Sequence, residues 1–262
     1  MNRFTVEMDQ NYAKLDQSEV SETVEDLKEL ARENARRIAA EFAEKGDAKG
    51  WFDALYNEAE GKIEHIPWAD LEPNRFFMQW AEGVGLRGEG RKAIVVGCGL
   101  GDDARYLYDH GFKVTAFDIS PTAIEWARKL HADTDIQFET ADLFDPPASW
   151  FEKKNPSATE SGSDRSGAFD FVLEIYTIQP LPLEMRPQVI DSIAAFVATG
   201  GELVAVGRLR EDDADVDEVP WPVSRKDLSR FRENGLKEVE FVEIPGDEDD
   251  PMSRFVVRYV KA

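Results

Sequence analysis

Three glycines in the segment GCGLGDD, Gly97, Gly99 and Gly101, follow a short apolar run and precede two aspartates. Glycines at this spacing allow a tight turn and let the backbone approach a ligand closely. A dinucleotide fingerprint would need a glycine at position 102, where this chain has Asp102. The carboxylates of Asp102 and Asp103 would repel a pyrophosphate and attract a cation, which disfavours a dinucleotide-dependent oxidoreductase. Alternatively, the two aspartates only complement the positive end of a helix.

Two more carboxylates follow the next apolar runs. Asp118 ends the run KVTAFD, 21 residues after Gly97, a spacing at which a carboxylate can accept the hydroxyl protons of a ribose. Asp142, in FETADLFD, is placed to accept from an adenine amino group. One carboxylate at a strand end is often only a helix cap, but three in succession predict a nucleoside site. S-adenosylmethionine fits this set, because it carries a sulfonium and an ammonium and no phosphate.

Polar side chains after the fourth apolar run are the candidates for the reaction itself. In FDFVLEIYTIQPLP, Glu174, Tyr176 and Gln179 come at the carboxyl end of a predicted strand. We predict Glu174 and Tyr176 as catalytic residues, with Glu174 as the general base, and Gln179 as a substrate-binding residue. Glu174 is alternatively a cofactor-binding residue that orients an amino group, or a cap. Trp68 and Trp221, in two aromatic segments outside the core, are predicted to bind and cover the acceptor.

Cys98 lies inside the glycine-rich turn, where we expect it to contact the cofactor as a small apolar filler and not as a nucleophile. The histidines, His65, His110 and His131, are not spaced as ligands of one ion, so no metal is expected.

The main part of the chain alternates short apolar runs with helical stretches. This alternation predicts a doubly wound α/β fold, with helices on both faces of a mostly parallel sheet. The predicted strands are Lys92–Val96, Lys113–Asp118, Ile136–Thr140, Phe169–Ile175 and Glu202–Val206, and the helices between them are Asp102–His110, Pro121–Leu130 and Met185–Val197. Two final runs, Lys237–Ile244 and Arg254–Val260, are separated only by an acidic turn and should pair antiparallel. The prediction is a seven-stranded sheet whose last strand is antiparallel.

The N-terminal part is predicted to be helical. Apolar residues recur three and four apart from Ser21 to about Lys45, and two shorter helices are expected in WFDALYNEAEG and IPWADLEPNRFFMQWAE. We therefore divide the chain into a helical cover, residues 1–64, and a main domain, residues 65–262. The first twenty residues are expected to be poorly ordered, and Lys153–Gly167 to be a flexible surface loop.

The charge balance limits the partners of the chain. It has 31 basic and 53 acidic residues, a net charge of −22 at pH 7, which disfavours binding to DNA or RNA. No run approaches the roughly 18–20 apolar residues that span a bilayer, and no secretory signal is visible. The single cysteine excludes an internal disulfide. We expect a cytoplasmic protein that binds neither nucleic acid nor membrane; its oligomeric state stays open.

Residues 65–262 resemble the class I S-adenosylmethionine-dependent methyltransferases, whose seven-stranded sheet ends in an antiparallel hairpin. The resemblance implies a cofactor loop after the first strand, a carboxylate for the ribose at Asp118, and an adenine contact at Asp142 and Leu143. The cofactor-binding residues expected on this basis are Gly97, Cys98, Gly99, Gly101, Asp103, Asp118, Ile119, Asp142, Leu143 and Glu174.

One branch of this family is most similar to the chain. Most members have an acidic residue two positions before the first loop glycine, where this chain has Val95. The thiopurine, thiol and halide methyltransferases resemble the chain in lacking it. They also show a Pro-Trp pair and a Pro-x-x-x-Arg-Pro-like helix start, which are Pro67-Trp68 and Pro182–Gln188 here.

The resemblance implies transfer of a methyl group from S-adenosylmethionine to a small molecule. Two alternatives stay open. One is a protein or RNA methyltransferase, which a basic groove would favour. The other is a module that binds the cofactor or its product without catalysis. The sequence identifies neither the acceptor nor the acceptor atom.

Overall fold

A mixed β-sheet runs through the middle of the protein. The computed structural model describes residues 17–151, 167–214, 220–246 and 250–262, with side chains from residue 26 onward. The strands in these ranges are β1 (Lys92–Val96), β2 (Lys113–Asp118), β3 (Gln137–Thr140), β4 (Phe169–Ile175), β5 (Val197–Arg210), β6 (Val223–Ser224), β7 (Leu236–Ile244) and β8 (Arg254–Lys261). Their order is β3-β2-β1-β4-β5-β8-β7, and β6 pairs beside this path with β5.

Strand directions confirm the predicted sheet. β1 to β5 are parallel to one another, and β8 is antiparallel to both β5 and β7. The two final runs therefore pair with each other as expected, and the last strand is antiparallel. The two-residue β6 is an addition to the seven predicted strands.

Helices bury both faces of the sheet, as expected for parallel strands joined by crossovers. Along β1, Ile94 and Val96 face one apolar cluster, and Ala93 and Val95 face another. The helices within the described residues are α1 (Gln17–Glu44), α2 (Gly50–Ala59), α3 (Arg75–Val84), α4 (Asp102–Asp109), α5 (Pro121–Leu130), α6 (Arg186–Ala195) and α7 (Arg225–Glu233). The helices α6 and α7 pack on the Ile94 face, and α3, α4 and α5 pack on the Ala93 face. The doubly wound arrangement is confirmed.

Two elements near the end of the chain differ from the expectation. β5 extends to Arg210, beyond the predicted end at Val206, because it keeps β8 as an antiparallel partner and gains β6 as a parallel one. The helix α7 was not predicted. A capping box begins it: the Ser224 side chain accepts from Asp227 N, and the Asp227 side chain accepts from Ser224 N.

The helices α1 and α2 form a cover over the carboxyl edge of the sheet. Leu55 of α2 is fully buried in a third apolar cluster, which includes Leu100 and Ala123 of the main domain. A polar contact joins the same parts, because Ser120 Oγ donates to Asp53 Oδ1 at 2.6 Å. The cover is thus packed against the sheet domain through both apolar and polar contacts.

Some expectations fall outside these observations. The division between residues 64 and 65 stays a prediction. Residues 1–16, and residues 152–166 with most of the predicted surface loop, lie outside the described residues. In the part of the chain that is described, no helix is long and apolar enough to cross a bilayer. The same part brings together no group of three or more His, Cys, Asp or Glu side chains that could hold a metal ion.

Leu55→Ala should lower the free energy of unfolding of the whole protein by about 2–5 kcal/mol, because it leaves a cavity where a side chain is 0% exposed. The matched control is Leu30→Ala in α1, where the residue is 61% exposed and the change should stay below about 0.5 kcal/mol. Urea unfolding followed by circular dichroism measures both. If Leu55→Ala were as stable as the control, the cover would not belong to the cooperative fold.

Candidate active site

A cavity of about 490 Å³ lies at the carboxyl edge of the sheet, between the turns that follow β1, β2, β3 and β4. Side chains of α1 and α2 and of the segment after them close it on the side away from the sheet. Ligands of open α/β sheets bind at this edge. The predicted site residues that line the cavity are Trp68, Gly97, Cys98, Gly99, Asp103, Asp118, Ile119, Asp142, Leu143, Tyr176 and Gln179.

Backbone sterics explain the glycine-rich turn. Gly97, Gly99 and Gly101 have φ angles of 58°, 52° and 90°, in the left-handed region that favours glycine. A Cβ on Gly97 would lie 2.5 Å from Thr177 Oγ1, and one on Gly101 would lie 2.7 Å from the Phe138 ring. Gly97 and Gly99 border the cavity, whereas Gly101 packs away from it and caps α4. The structure therefore supports Gly101 as a turn residue and does not bring it to the cavity wall.

Asp118 ends β2 and lines the cavity beside the glycine turn. Its Oδ2 accepts from Gly99 N at 3.0 Å, and its Oδ1 accepts from Ser120 N at 2.9 Å. The residue is only 9% exposed. This burial raises the pKa of Asp118 above its usual value, although the N–H donors act in the opposite direction. The carboxylate both fixes the turn and presents acceptor oxygens at the cavity.

Two further carboxyls and the single thiol adjoin the same turn. Asp103 accepts from Asn74 N at 2.7 Å, and burial raises the pKa of Asp103 to about 7. Burial also raises the pKa of Asp102. A cationic ligand would favour the ionised form of both groups. Burial, reinforced by Asp118, raises the pKa of Cys98 well above its usual value, so the thiol stays protonated, as expected of a filler.

Asp142 and Leu143 line the cavity after β3. Lys49, between α1 and α2, forms an ion pair with Asp142 Oδ2, while Asp142 Oδ1 accepts from Phe144 N at 2.9 Å. Lys49 Nζ also lies 5.1 Å from the centre of the Phe144 ring. No local pattern in the sequence selects Lys49, since its partner is 93 residues away. This ion pair ties the cover to the side of the cavity where the adenine was predicted.

The turn after β4 brings Tyr176 and Gln179 to the opposite wall. Tyr176 has a φ of 59°, which is uncommon for a bulky residue, and Tyr176 N donates to Val206 O at 3.0 Å. Gln179 is only 5% exposed. Its Oε1 accepts from Arg208 N at 3.0 Å, and its backbone carbonyl accepts from Trp221 N at 2.8 Å. Neighbouring backbone therefore holds both residues in place.

Of the two predicted tryptophans, only Trp68 lines the cavity. Its Nε1 donates to Tyr56 Oη at 2.9 Å, and its ring packs edge-on against Trp51. Trp221 does not line the cavity, whereas its neighbour Pro220 does. The role expected of the Trp221 ring at the acceptor is not supported, because Trp221 instead joins the site through its backbone.

Glu174, the predicted general base, is also absent from the cavity wall. The residue is 1% exposed, and its Oε1 accepts from Thr177 N at 2.7 Å and from Ile178 N at 3.1 Å. Burial raises the pKa of Glu174 to about 7. Glu174 still lies within β4, where it pairs with Val96 of β1 and Ala205 of β5. Its carboxyl closes the turn that follows β4 by accepting from the backbone of that turn. This geometry does not support direct proton transfer to Glu174 and leaves Tyr176 as the predicted catalytic residue that lines the cavity.

The profile of a methyltransferase-domain family matches residues 27–239, which include the glycine turn and all the carboxylates described above. The chain belongs to this methyltransferase family. The match begins within α1 and ends within β7, so it includes much of the cover and the sheet from β1 to β6, but not β8.

Several proteins of known activity resemble the chain in sequence or in fold. The 2-heptyl-1-hydroxyquinolin-4(1H)-one methyltransferase of Mycobacteroides abscessus is 26% identical over 166 residues, 62% of this chain and 64% of that protein, just under two thirds of its length. The N-methyltransferase NodS of Bradyrhizobium japonicum, solved with S-adenosylhomocysteine, has a TM-score of 0.58 at 19% identity over 79% of this chain and 96% of its own. The 1,6-didemethyltoxoflavin-N1-methyltransferase of Burkholderia thailandensis gives 0.56 at 15% identity, over 80% and 85% of the two chains. At these identities the structures establish the fold alone.

Sequence reasoning missed the basic side of the methyltransferase cavity. Arg32 and Arg36 of α1, Arg208 of β5 and Arg254 of β8 all line it. The rule that selected the aspartates, a position at the carboxyl end of a strand, would have selected Arg208 if β5 had been predicted to its full length. No local signal marks Arg32 and Arg36, which look like ordinary residues on the polar face of a helix.

Glu174→Gln should make the methyltransferase more stable than the wild type at pH 8, and about equally stable at pH 4.5. The Glu174 carboxyl ionises above its ordinary pKa of 4.5 in the unfolded chain but only above about 7 in the folded protein. The folded wild type therefore binds more protons between these values, and its stability falls by roughly 3 kcal/mol as the pH rises through them. Glutamine keeps an acceptor oxygen for the two N–H groups and has no charge to bury.

Denaturant unfolding of both proteins at pH 4.5, 6 and 8 measures this difference. Because other titrating groups are common to the two proteins, only the difference between their unfolding free energies is compared. A difference that does not change with pH would contradict this description of the Glu174 carboxyl.

Proposed function

We propose that this chain is an S-adenosylmethionine-dependent methyltransferase that acts on a small-molecule acceptor. One observation carries the proposal: a single cavity joins a glycine turn surrounded by carboxylates to a compartment lined by aromatic, proline and arginine side chains. Its volume of about 490 Å³ suits small ligands. Membership of the methyltransferase family supports the reaction type.

The residues at the carboxylate side fit the cofactor. S-adenosylmethionine supplies a methyl group on a positively charged sulfur, and its amino group is a second cation. Asp118 offers buried carboxylate oxygens for the ribose hydroxyls, beside the backbone of Gly99. Asp103 and Asp102 carry carboxyls whose pKa values burial raises, and a nearby cation offsets this cost. Leu143 provides an apolar wall for the adenine beside Asp142.

Residues on the other side of the cavity position the acceptor. An in-line methyl transfer depends mainly on holding the acceptor atom and the methyl carbon in contact, with water excluded. Tyr176, as the catalytic residue, faces this space, and Gln179 binds the acceptor. Trp68, whose Nε1 lies 3.9 Å from the place of a Cβ on Gly99, contacts the acceptor from the side of the glycine turn. Trp221 contributes through its backbone hydrogen bond to Gln179. Gly97, Cys98 and Ile119 line the cofactor side of the same cavity.

The size of the acceptor follows from the cover. The helices α1 and α2 close the cavity on the side away from the sheet, which favours a small molecule over a protein or RNA segment. The name of the relative from Mycobacteroides abscessus, a methyltransferase of a hydroxyquinolinone, supports the same class. Membership of the thiopurine, thiol and halide branch and a cytoplasmic location stay predictions, as does the absence of nucleic-acid partners.

The wild-type protein should bind S-adenosylmethionine and S-adenosylhomocysteine at micromolar concentrations, and NAD and ATP far more weakly. Asp118→Asn should weaken S-adenosylhomocysteine binding at least about 30-fold, roughly 2 kcal/mol, because it removes charge-assisted hydrogen bonds to the ribose. Asp133→Asn, which changes an exposed carboxylate paired with Arg105, is the matched control and should bind normally.

Isothermal titration calorimetry of the three proteins measures these affinities, and circular dichroism verifies that each variant is folded. NAD binding as tight as that of S-adenosylmethionine would exclude the proposed cofactor. Wild-type affinity in a folded Asp118→Asn protein would place the nucleoside elsewhere.

A further inference from the structure

Arg208 lies where β5 continues beyond its parallel partner β4. The register of these strands ends at the pair Ile175 and Val206, and Arg208 pairs with Arg254 of β8. The backbone of Arg208 is fixed by the hydrogen bond to Gln179 Oε1 at 3.0 Å. Its side chain is half-buried and lines the cavity.

No carboxylate among the described residues forms an ion pair with the Arg208 guanidinium. Its cross-strand neighbour is Arg254, and like charges directly opposite each other destabilise a sheet. Arg254 is bonded to Asp250 and to the carbonyl of Met252. In contrast, the Arg208 guanidinium donates to no described residue. Burial, reinforced by Arg254 and partly opposed by Asp250, lowers the pKa of Arg208, which reflects the electrostatic cost of a cation at this position.

Other arginines in partly buried surroundings have carboxylate partners. Arg186 and Arg210 both form ion pairs with Asp227, and Arg258 forms one with Glu202. Among the described residues, Arg208 is thus a half-buried cation that faces the cavity without a bonded carboxylate, and an anion that enters the cavity would compensate its charge.

The position of this guanidinium suits the acceptor and not the cofactor. β5 is the second neighbour of β1 in the sheet, so its end lies roughly 10 Å from the glycine turn. The turn after β4, with Tyr176, lies between them. Tyr176 and Arg32 both lie close enough to the Arg208 guanidinium to influence its pKa. The carboxylates around the glycine turn thus lie at one end of the cavity, and Arg208, which donates to no other described residue from its side chain, lies at the other.

We propose, resting on the methyl transfer inferred above, that the acceptor is an anion whose carboxylate or ionised hydroxyl pairs with the guanidinium of Arg208. A carboxylate can form charge-assisted, bidentate bonds with the planar fork of arginine, and the single oxygen of an ionised hydroxyl can accept charge-assisted bonds from it; either would orient the acceptor beside Tyr176. An ionised hydroxyl has already released its proton to solvent. Its oxygen lone pair then forms the bond to the methyl carbon, while the carbon–sulfur electron pair returns to sulfur. No general base is needed, in agreement with the burial of Glu174 away from the cavity.

Calorimetric titration with matched probes, in the presence of saturating S-adenosylhomocysteine, tests this proposal. The anionic probes are benzoate and 4-nitrophenolate, and their neutral counterparts are benzamide and 4-nitroanisole, all at about pH 8.5, where both anions are ionised. Benzoate compared with benzamide tests a carboxylate, and 4-nitrophenolate compared with 4-nitroanisole tests an ionised hydroxyl. The proteins are the wild type, Arg208→Gln, Arg208→Lys and, as a control, Arg105→Gln, which removes one charge from an exposed ion pair of α4.

We expect the wild type and Arg105→Gln to bind at least one anion about tenfold or more tightly than its neutral counterpart. Arg208→Gln should reduce this preference to below about threefold, Arg208→Lys should keep part of it, and S-adenosylhomocysteine affinity should stay within about twofold throughout. Arg208→Gln should also melt no lower than the wild type, because it removes a like charge from Arg254.

Equal binding of anion and neutral probe to the wild type would overturn the proposal. So would an unchanged preference in Arg208→Gln, or no saturable binding of either anion up to about 10 mM. If S-adenosylhomocysteine binds normally, any of these results contradicts only the proposal of an anionic acceptor. If the wild type does not bind S-adenosylhomocysteine, the proposed function itself is contradicted.

Discussion

The carboxylate of Asp118 connects the three parts of the protein that meet at the cavity. It accepts from Gly99 N in the glycine turn and from Ser120 N at the start of α5. The Ser120 side chain accepts from Ala123 N to cap that helix and donates to Asp53 in the cover. One chain of hydrogen bonds therefore positions the turn, the crossover helix and the cover. Because Asp118 is buried, the loss of its oxygens would leave N–H groups unsatisfied, each at a cost of about 1–3 kcal/mol.

The distribution of charge around the cavity follows from the same arrangement. Parallel strands end at one edge, so carboxylates after β1, β2 and β3 gather on one side, and the end of β5 brings Arg208 to the other. Burial raises the pKa values of Asp102, Asp103 and Asp118 and lowers that of Arg208. At each end of the cavity, burial thus makes the charged form of these side chains less favourable. A bound ligand of opposite charge would offset that cost. A cationic cofactor at the first end and an anionic acceptor at the second would satisfy both.

The sequence predicted the features of the site that are local in the chain. Alternating apolar runs determined the sheet by simple connection rules, and the glycines and aspartates are marked by residue type and position. The general-base role predicted for Glu174 is not supported, whereas the alternative of a cap agrees with its bonds to Thr177 N and Ile178 N. A strand pattern does not tell whether a side chain near the end of the strand turns under the following loop. Lys49 and Arg208 were missed for another reason: their roles depend on contacts across the fold, from a partner 93 residues away or from strand pairing that extends β5.

A crystal structure with S-adenosylhomocysteine bound tests the central claim most directly. We expect the ribose hydroxyls within hydrogen-bond distance of the Asp118 carboxylate, the adenine against Leu143 beneath the cover, and the sulfur directed toward Tyr176. We also expect the space between that sulfur and Arg208 to remain open for an acceptor. Electron density for the nucleoside at any other place, or a ribose that does not contact Asp118, would contradict the assignment of the cavity.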